Sequence, residues 1–253
     1  GVLLNLVEKF ELFLYRRSTR VAALTHAYKR NLINRGINED KIDVVLNGVD
    51  LPRYAPQPRD DSLAEEWRLQ GKFVIGYVGT HGMAHGLINV LDAAEKLQDR
   101  DDIRFLLAGA GAEREMLVAT AEQKSLNNVV FLPMQPKEKM PAVWSLCDVA
   151  LVHLKDSPAF AEVIPSKIFE AMAMGLPILL SVPDGEAREI VDGHQAGLWV
   201  PPENPESLAD AVKNLCDDPN LKDQFAANAL AAAPDHSRSV QANEMIAVFE
   251  KAL

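Results

Sequence analysis

Two glutamates with seven residues between them lie in one segment of this chain, and the second of them is placed to bind hydroxyls of a ligand. Glu162 lies in a predicted loop, and Glu170 falls in the first turns of a helix that we expect to start near Ser166. A carboxylate repels phosphate, but it accepts two hydrogen bonds from a vicinal diol such as a ribose. A capped amphipathic helix with a solvated glutamate shows the same pattern, so the residues alone leave both interpretations open.

The same segment carries groups suited to a diphosphate. Lys167 follows Ser166 directly. The first N–H groups of a helix have no partner within it, and the helix dipole favours an anion there. Ser166 and Lys167 are therefore candidate phosphate contacts.

A second candidate is the glycine-rich stretch at residues 76–86, Gly-Tyr-Val-Gly-Thr-His-Gly-Met-Ala-His-Gly, between a predicted strand and a predicted helix. Glycines allow backbone N–H groups to approach a phosphate closely. A tight turn without a ligand fits equally well. The spacing differs from Gly-x-Gly-x-x-Gly, which disfavours an NAD-dependent dehydrogenase.

His81 and His85 stand at i and i+4, a spacing that can hold zinc on a helix. The glycine between them argues against a helix, and no cysteine or carboxylate lies near enough in sequence to complete a ligand set. We expect histidines at the surface or facing phosphate. The two aspartates of residues 99–101, Asp-Arg-Asp, have the spacing of a metal-binding pair, but they fall between a predicted helix and a predicted strand and are interpreted as a solvated turn. No metal site is therefore predicted.

Composition excludes several classes of protein. The chain has 253 residues, 48% of them hydrophobic, and a formal charge of −10 that disfavours nucleic acid as a partner. Cys147 and Cys216 are the two cysteines, which fits a reducing cytoplasm rather than a disulfide framework. No apolar run approaches the ~18–20 residues that span a membrane. Residues 1–13 are interpreted as an amphipathic helix that lacks its upstream context.

Short apolar runs alternate with helical patterns along the chain. The predicted strands are Val21–Leu24, Ile42–Leu46, Phe73–Val78, Ile103–Leu107, Val129–Leu132, Val149–Val152, Ile178–Leu180 and Leu198–Val200. The predicted helices include Ala27–Arg35, Leu87–Leu97, one that starts at Asn204-Pro205, Ala226–Ala233 and Ser237–Leu253. Such alternation predicts an α/β fold with a doubly wound parallel sheet.

A doubly wound sheet binds ligands at the carboxyl ends of its strands. The residues just after each strand are therefore candidates, at 79–86, 109–111, 133–134, 153–157, 162–170 and 181–186. The proline-rich, weakly periodic residues 47–70 are interpreted as an interdomain linker. This divides the chain into 1–46, a domain at 71–236, and a final helix at 237–253.

The order of these motifs resembles the retaining GT-B glycosyltransferases of group 1, the glycogen-synthase-like and O-antigen type. The paired glutamates are followed by residues 171–177, Ala-Met-Ala-Met-Gly-Leu-Pro, as in that family. Residues 47–50 are similar to the hinge between its two Rossmann-like domains, and 196–201 to its closing strand. The resemblance extends from about residue 18 to the C-terminus.

This resemblance implies a nucleotide-sugar-binding C-terminal domain, preceded by a remnant of the acceptor-binding domain (residues 1–46) and with the final helix crossing back to it. Glu162 would contact the sugar, Lys167 the phosphate charge and Glu170 the ribose. The other implied donor contacts line the diphosphate or border the base: Gly79, Thr80, His85, Gly109, Gly111, Pro133, Met134 and Ser166. No cofactor is implied.

One departure from the family concerns charge. The family usually carries an arginine just after the first glycine and a lysine five residues later, where this chain has Thr80 and His85. Fixed charge at the departing phosphate is a major catalytic term. We expect Lys167 to replace it, helped by a protonated His85.

The implied reaction is transfer of a sugar from an NDP-sugar, expected to be UDP-linked, to a saccharide or lipid-linked acceptor with retention, by front-face displacement. Residues 154–158 and 185–187 resemble the branch that transfers acetamido-deoxy sugars in O-antigen and capsule assembly. The acceptor site and any peripheral membrane contact would belong to the largely missing domain, so this chain alone is expected to be inactive. The expected location is the cytoplasm, with any membrane contact of the full-length protein at the inner face. A nucleotide-sugar 2-epimerase and a non-catalytic nucleotide-binding domain remain open alternatives.

Overall fold

The computed structural model of the protein describes residues 1–253, without the side chain of Val2. It contains two compact units, residues 1–48 with 236–253, and residues 49–235. The strands β1 to β8 are Val21–Ala23, Ile42–Val44, Phe73–Val78, Ile103–Ala108, Val129–Leu132, Val149–His153, Ile178–Ser181 and Gly197–Val200. The helices α1 to α12 are Val2–Arg17, His26–Asn34, Asp61–Glu66, Ile88–Glu95, Arg114–Gln123, Met140–Ser145, Pro158–Ala161, Lys167–Ala173, Glu186–Gly193, Pro205–Asp217, Pro219–Ala232 and Arg238–Glu250.

The unit of residues 49–235 is built on a six-stranded sheet in the order β5-β4-β3-β6-β7-β8. Every pairing is parallel, with Phe73 opposite Ile103 at the start of β3 and β4. The order runs outward in both directions from the β3–β6 pair, so the strand order reverses between β3 and β6. The predicted doubly wound, Rossmann-like α/β fold is confirmed, and the reversal marks the edge where such sheets bind ligands.

Burial explains why these strands read as continuous apolar runs. β6 is buried along its whole length, because helices cover the sheet. On one face, apolar residues of α4 and α10 pack in one cluster with alternate residues of β3 and β4. The short helix α8 contributes the fully buried Ile168 and Phe169 to the core. The core therefore fixes α8 at the carboxyl edge of the sheet.

The observed ends of the elements agree with the predicted ones where local signals, such as a capping residue followed by proline, are clear. β3 and β5 have the predicted ends, and α10 begins at Pro205 with the Asn204 side chain accepting the Ser207 N–H at 3.0 Å. By contrast, α11 begins at Pro219, seven residues before the predicted start, with Asp218 as its cap. The segment interpreted as a linker contains α3, whose residue Ala64 is buried.

The second unit has a two-stranded parallel sheet in which Val21 lies opposite Ile42. Its small core joins β1 and β2 to α2, with Leu12 and Tyr15 of α1 packed against it. The helix α12 belongs to this unit, where Lys251 Nζ lies 2.6 Å from an Asp43 carboxylate oxygen. In the described part of the chain, no helix is both long enough and apolar enough to cross a membrane.

Candidate functional site

The loops after β3 and β4 lock together at the carboxyl edge of the sheet. The Gly79 N–H donates to the Ala108 carbonyl at 2.9 Å, and the His81 N–H donates to the Ala110 carbonyl at 2.8 Å. A Cβ atom at Gly109 would overlap the Gly79 carbonyl oxygen, and Gly109 has φ +148°. Backbone therefore meets backbone here, which only glycine permits.

Lys167 is brought directly over this junction. Its Nζ lies 3.7 Å from the centre of the Tyr77 ring, and a Cβ atom at Gly79 would lie 2.8 Å from that nitrogen. The Tyr77 hydroxyl donates to the Thr80 carbonyl at 2.8 Å and so ties the ring to the loop. The Thr80 side chain itself is exposed. The structure thus joins two predicted site residues, Gly79 and Lys167, from segments far apart in sequence.

The Lys167 amine is in an unusual electrostatic position. It is buried and has no hydrogen-bond partner among the residues that the structure describes. Burial lowers the pKa of Lys167 to about 7, while the charge of Glu170 opposes that shift. Glu170 also accepts a hydrogen bond at 3.2 Å from Nε1 of the buried Trp144. That bond orients the carboxylate one helical turn from the lysine.

Three histidines lie near enough to Lys167 for its charge to lower the pKa of each. His153, at the end of β6, is 1% exposed, and its Nδ1 lies 2.6 Å from the His85 carbonyl. Because a carbonyl only accepts, Nδ1 carries the proton and Nε2 is left bare. Burial lowers the pKa of His81 and of His153 to about 4, and burial and the charge of Lys167 lower that of His85.

The structure bears on two expectations about these histidines. His81 is 0% exposed, because its ring packs near Tyr77 and Phe131, so of the two predicted positions the surface is excluded and the one facing phosphate is not. His85 is half-buried, and burial and the charge of Lys167 lower its pKa, so without a ligand these two effects oppose the predicted protonation. Charge at this position therefore depends on the state of the site.

Gly111, Pro133 and Met134 lie along the same edge of the sheet. A Cβ atom at Gly111 would overlap the His81 backbone. The Gly109 N–H donates to the Leu132 carbonyl at 3.0 Å, so the end of β5 lies beside it. Pro133 and Met134 follow and are exposed, Met134 to 73%. The end of β5 thus offers an exposed surface beside the glycine loops.

Glu162 and Ser166 are less closely tied to this group. Glu162 follows α7, is half-buried, and makes no hydrogen bond or ion pair with any side chain included in the structure. The backbone of the preceding Ala161 abuts Gly185, where a Cβ atom would overlap the Ala161 carbonyl. Ser166 is exposed, and α8 begins right after it as predicted. Ser166 takes the N-cap position, and its hydroxyl makes no capping bond to the described chain.

Two residues of the site, Tyr77 and Arg114, were missed by sequence reasoning, and His153 was reached only as the first residue of the candidate range 153–157. Tyr77 and His153 lie in strands and look like core residues. Arg114, the first residue of α5, has a charge that lowers the pKa of His81. Only the rule that ligands bind at strand ends pointed toward His153. No group of three His, Cys, Asp or Glu side chains suited to a metal occurs in the described part of the chain.

Sequence comparison finds relatives among glycosyltransferases. The chain is 27% identical over 239 residues to a GDP-mannose-dependent alpha-mannosyltransferase of Mycobacterium tuberculosis, covering 94% of this chain and 58% of the relative. It is 26% identical over 220 residues to the putative colanic acid biosynthesis glycosyl transferase WcaI of Escherichia coli, covering 84% of this chain and 53% of the relative. The chain thus spans little more than half the length of these relatives.

Solved structures with the same fold include HepE of Anabaena in complex with UDP and glucose. The TM-score is 0.83 at 24% identity, and the match covers 97% of this chain and 66% of HepE. Sucrose-phosphate synthase of Thermosynechococcus elongatus gives a TM-score of 0.79 at 19% identity, covering 95% of this chain and 60% of that protein. At these identities the likeness is one of fold.

The family assignment comes from the sequence itself. Residues 59–231, well over half of the chain, match the family described as Glycosyl transferases group 1. The matched segment contains the glycine loops, Lys167 and both glutamates. The chain therefore belongs to the group 1 glycosyl transferases.

Proposed function

We propose that residues 49–235 bind the nucleotide-sugar donor of a glycosyltransferase at the carboxyl edge of β3, β4, β5 and β6. The observation that carries this proposal is the Lys167 amine held over Gly79, where the strand order reverses. In sheets of this type that reversal is where a nucleotide binds. A buried amine without a partner in the described chain is a group that an anionic ligand would satisfy.

Each end of the donor has a matching group at this edge. The diphosphate would lie against Gly79 and the amine of Lys167. The ribose diol would be bound by Glu170, whose carboxylate is oriented by Trp144. The base would lie along Pro133 and Met134, with contacts to backbone rather than to side chains.

The chemistry asked of these groups is electrostatic. When the sugar leaves its donor, negative charge grows on the diphosphate, and an ammonium beside it stabilises that charge. Lys167 would take the place of the arginine and lysine that the family usually has at Thr80 and His85. Glu162 would hold the sugar hydroxyls and so orient the reacting carbon. We assign no residue of this unit as a covalent nucleophile.

For the whole protein we propose transfer of a UDP-linked sugar, of the acetamido-deoxy class, to a saccharide or lipid-linked acceptor with retention. The name of WcaI supports polysaccharide assembly, and the UDP bound by HepE supports the base. Residues 1–46 would be the tail of the acceptor domain, with the final helix returning to it. Large apolar side chains of α1, such as Leu3, Leu6 and Phe10, are exposed, as expected for a surface that a larger domain covers.

Calorimetric titration of the chain with UDP, GDP and ADP, with and without EDTA, tests the donor site. We expect UDP to bind preferentially and EDTA to leave its affinity unchanged. If no nucleoside diphosphate binds at millimolar concentration, the donor-site proposal is wrong. Loss of UDP binding in EDTA would mean that a metal ion, rather than Lys167, supplies the positive charge.

A further inference from the structure

A cluster of basic side chains lies where the diphosphate is proposed to bind. Its members are Lys167, His85 and His153, and we call them the basic cluster. One side-chain nitrogen of each is buried without a hydrogen-bond partner in the chain as described: Lys167 Nζ, His85 Nδ1 and His153 Nε2. They come from a helix, a loop and a strand, so only the fold brings them together.

The groups that face Lys167 are few and mostly basic or aromatic. Tyr77 of β3 presents the face of its ring to the amine. The imidazoles near it are those of His81, His85 and His153. Glu170, on the same helix, is the carboxylate whose charge acts on the amine. The charge of Arg114 lowers the pKa of His81. One carboxylate, that of Glu170, thus acts on the amine, and the other groups near it are imidazoles and an aromatic ring.

Burial and crowding both disfavour protonation of this cluster in the absence of an anion. Taking an unpaired charge out of water is costly, and each added proton repels the next. A diphosphate reverses both effects, because it brings negative charge and oxygen acceptors into contact with these nitrogens. The site therefore has reason to gain protons when such a ligand enters.

We propose that the basic cluster takes up a proton when the diphosphate binds, and that Lys167 is the main acceptor of that proton. This inference rests on the donor site proposed above. In this chain, positive charge is acquired with the ligand instead of being fixed in advance by an arginine. The proton comes from the solvent and remains on Nζ while the diphosphate stays bound.

The order of protonation follows from the burial of each group. The pKa of Lys167 is about 7 and that of His153 about 4, so the lysine gains a proton first. At pH 8 the free amine is mostly neutral, and its pKa rises above 8 once the anion is bound. Uptake should then approach one proton per nucleotide, and the dissociation constant should rise up to about tenfold per pH unit above pH 7.

Calorimetry of UDP binding at pH 8 in Hepes and in Tris measures this uptake directly. The observed enthalpy varies with the ionisation enthalpy of the buffer, and the slope is the number of protons taken up. At pH 8 the terminal phosphate of UDP, with a pKa of about 6, is already ionised and adds little to the slope. We expect a slope between about 0.5 and 1 proton per UDP.

Lys167→Arg is the matched control, because a guanidinium stays protonated and also stacks on an aromatic ring. It should bind UDP with a slope near zero. Lys167→Met should bind UDP more weakly and also show no uptake. The dissociation constant of the unaltered chain between pH 7 and pH 9 gives a second test that needs no variant.

The outcomes separate this inference from the proposed function. UDP binding with a slope near zero and no pH dependence above pH 7 would overturn the proton uptake and leave the donor site standing. An unchanged slope in Lys167→Arg would overturn the assignment to the lysine. Absence of UDP binding to the unaltered chain would overturn both the donor site and the inference that rests on it.

Discussion

At the residue scale, Glu170 is the carboxylate whose geometry is best defined. The Trp144 Nε1–H donates to it at 3.2 Å, and Trp144 is fully buried. An oriented carboxylate can accept both hydroxyls of a ribose without rearranging. Loss of hydrogen bonds to a charged group costs about 1.5–3 kcal/mol.

We therefore expect Glu170→Ala to weaken UDP binding by about 10- to 100-fold in calorimetry. The exposed Glu122→Ala on α5 is the control and should change nothing. A 2′,3′-dideoxy analogue of UDP should bind the unaltered chain more weakly but bind Glu170→Ala as UDP does. Equal discrimination by both proteins would mean that Glu170 does not contact the ribose.

His81 controls a different property, the dependence of stability on pH. Both of its ring nitrogens are buried without a partner in the part of the chain described, and its pKa is about 4 against 6.5 for a free histidine. Between pH 4 and 6.5 the unfolded state then binds more protons than the folded state. The folded state loses stability as the pH falls through this range.

His81→Leu should remove this loss and stabilise the fold by about 1–3 kcal/mol at pH 7, since two unsatisfied polar atoms disappear. Urea unfolding of both proteins at pH 7 and pH 5 measures the effect. We expect the gap between them to widen at pH 5. A gap that is the same at both pH values would show that His81 does not set the acid sensitivity.

The sequence predicted the types of site residue better than their environment. Glu170, Lys167 and Gly79 stand in motifs whose spacing or family resemblance is specific. The stacking of Lys167 on Tyr77 could not be predicted, because the direction of a long side chain depends on packing between a helix and a strand. The lowered pKa of His85 could not be predicted for the same reason, since burial is a property of the folded chain.

At the element scale, the contact between the loops after β3 and β4 carries the site. Gly109 has φ +148°, and a side chain there would overlap the Gly79 carbonyl. Gly71 has φ +64° with nothing within 4 Å of a built Cβ atom. A substitution at Gly71 therefore tests backbone strain alone, and one at Gly109 tests strain together with steric overlap.

Gly71→Ala should cost about 1–2 kcal/mol, the price of a left-handed conformation. Gly109→Ala should cost clearly more, because one loop must also move away from the other. Urea unfolding at pH 7 compares the two variants. Equal losses would mean that the two loops part without cost and that their contact does not fix the site.

Elements whose ends are marked by capping residues or prolines could be predicted, and elements whose ends depend on tertiary packing could not. Asn204-Pro205 marks a helix start by local chemistry alone. The early start of α11 at Pro219 was missed, because its first turns are polar and the alanine-rich part dominated the pattern. The helix α3 was hidden among prolines and charges, and its buried Ala64 reveals a contact that periodicity over six residues cannot show.

At the scale of the whole molecule, donor binding and sugar transfer should separate. The chain spans little more than half the length of its relatives, and we propose that the acceptor is bound by the remainder of a longer protein. We therefore expect this chain to bind UDP and to transfer no sugar from a UDP-sugar to a saccharide acceptor. Product detected by mass spectrometry with the chain alone would contradict this division of labour.

The parallel sheet and the family were predictable because alternating strands and helices allow few topologies, and because the glutamate motif is specific. The strand order β5-β4-β3-β6-β7-β8 was not read from the sequence, since each strand is equally apolar. That order is what places β3 next to β6, and hence Gly79 near His153 and Lys167.

A crystal structure of the chain with UDP tests the central claim most directly. The account predicts the diphosphate beside Gly79 within hydrogen-bond distance of Lys167 Nζ, and the ribose hydroxyls on Glu170. The base should lie along Pro133 and Met134. A nucleotide bound away from the β3–β6 edge, or a diphosphate that does not contact Lys167, would contradict it.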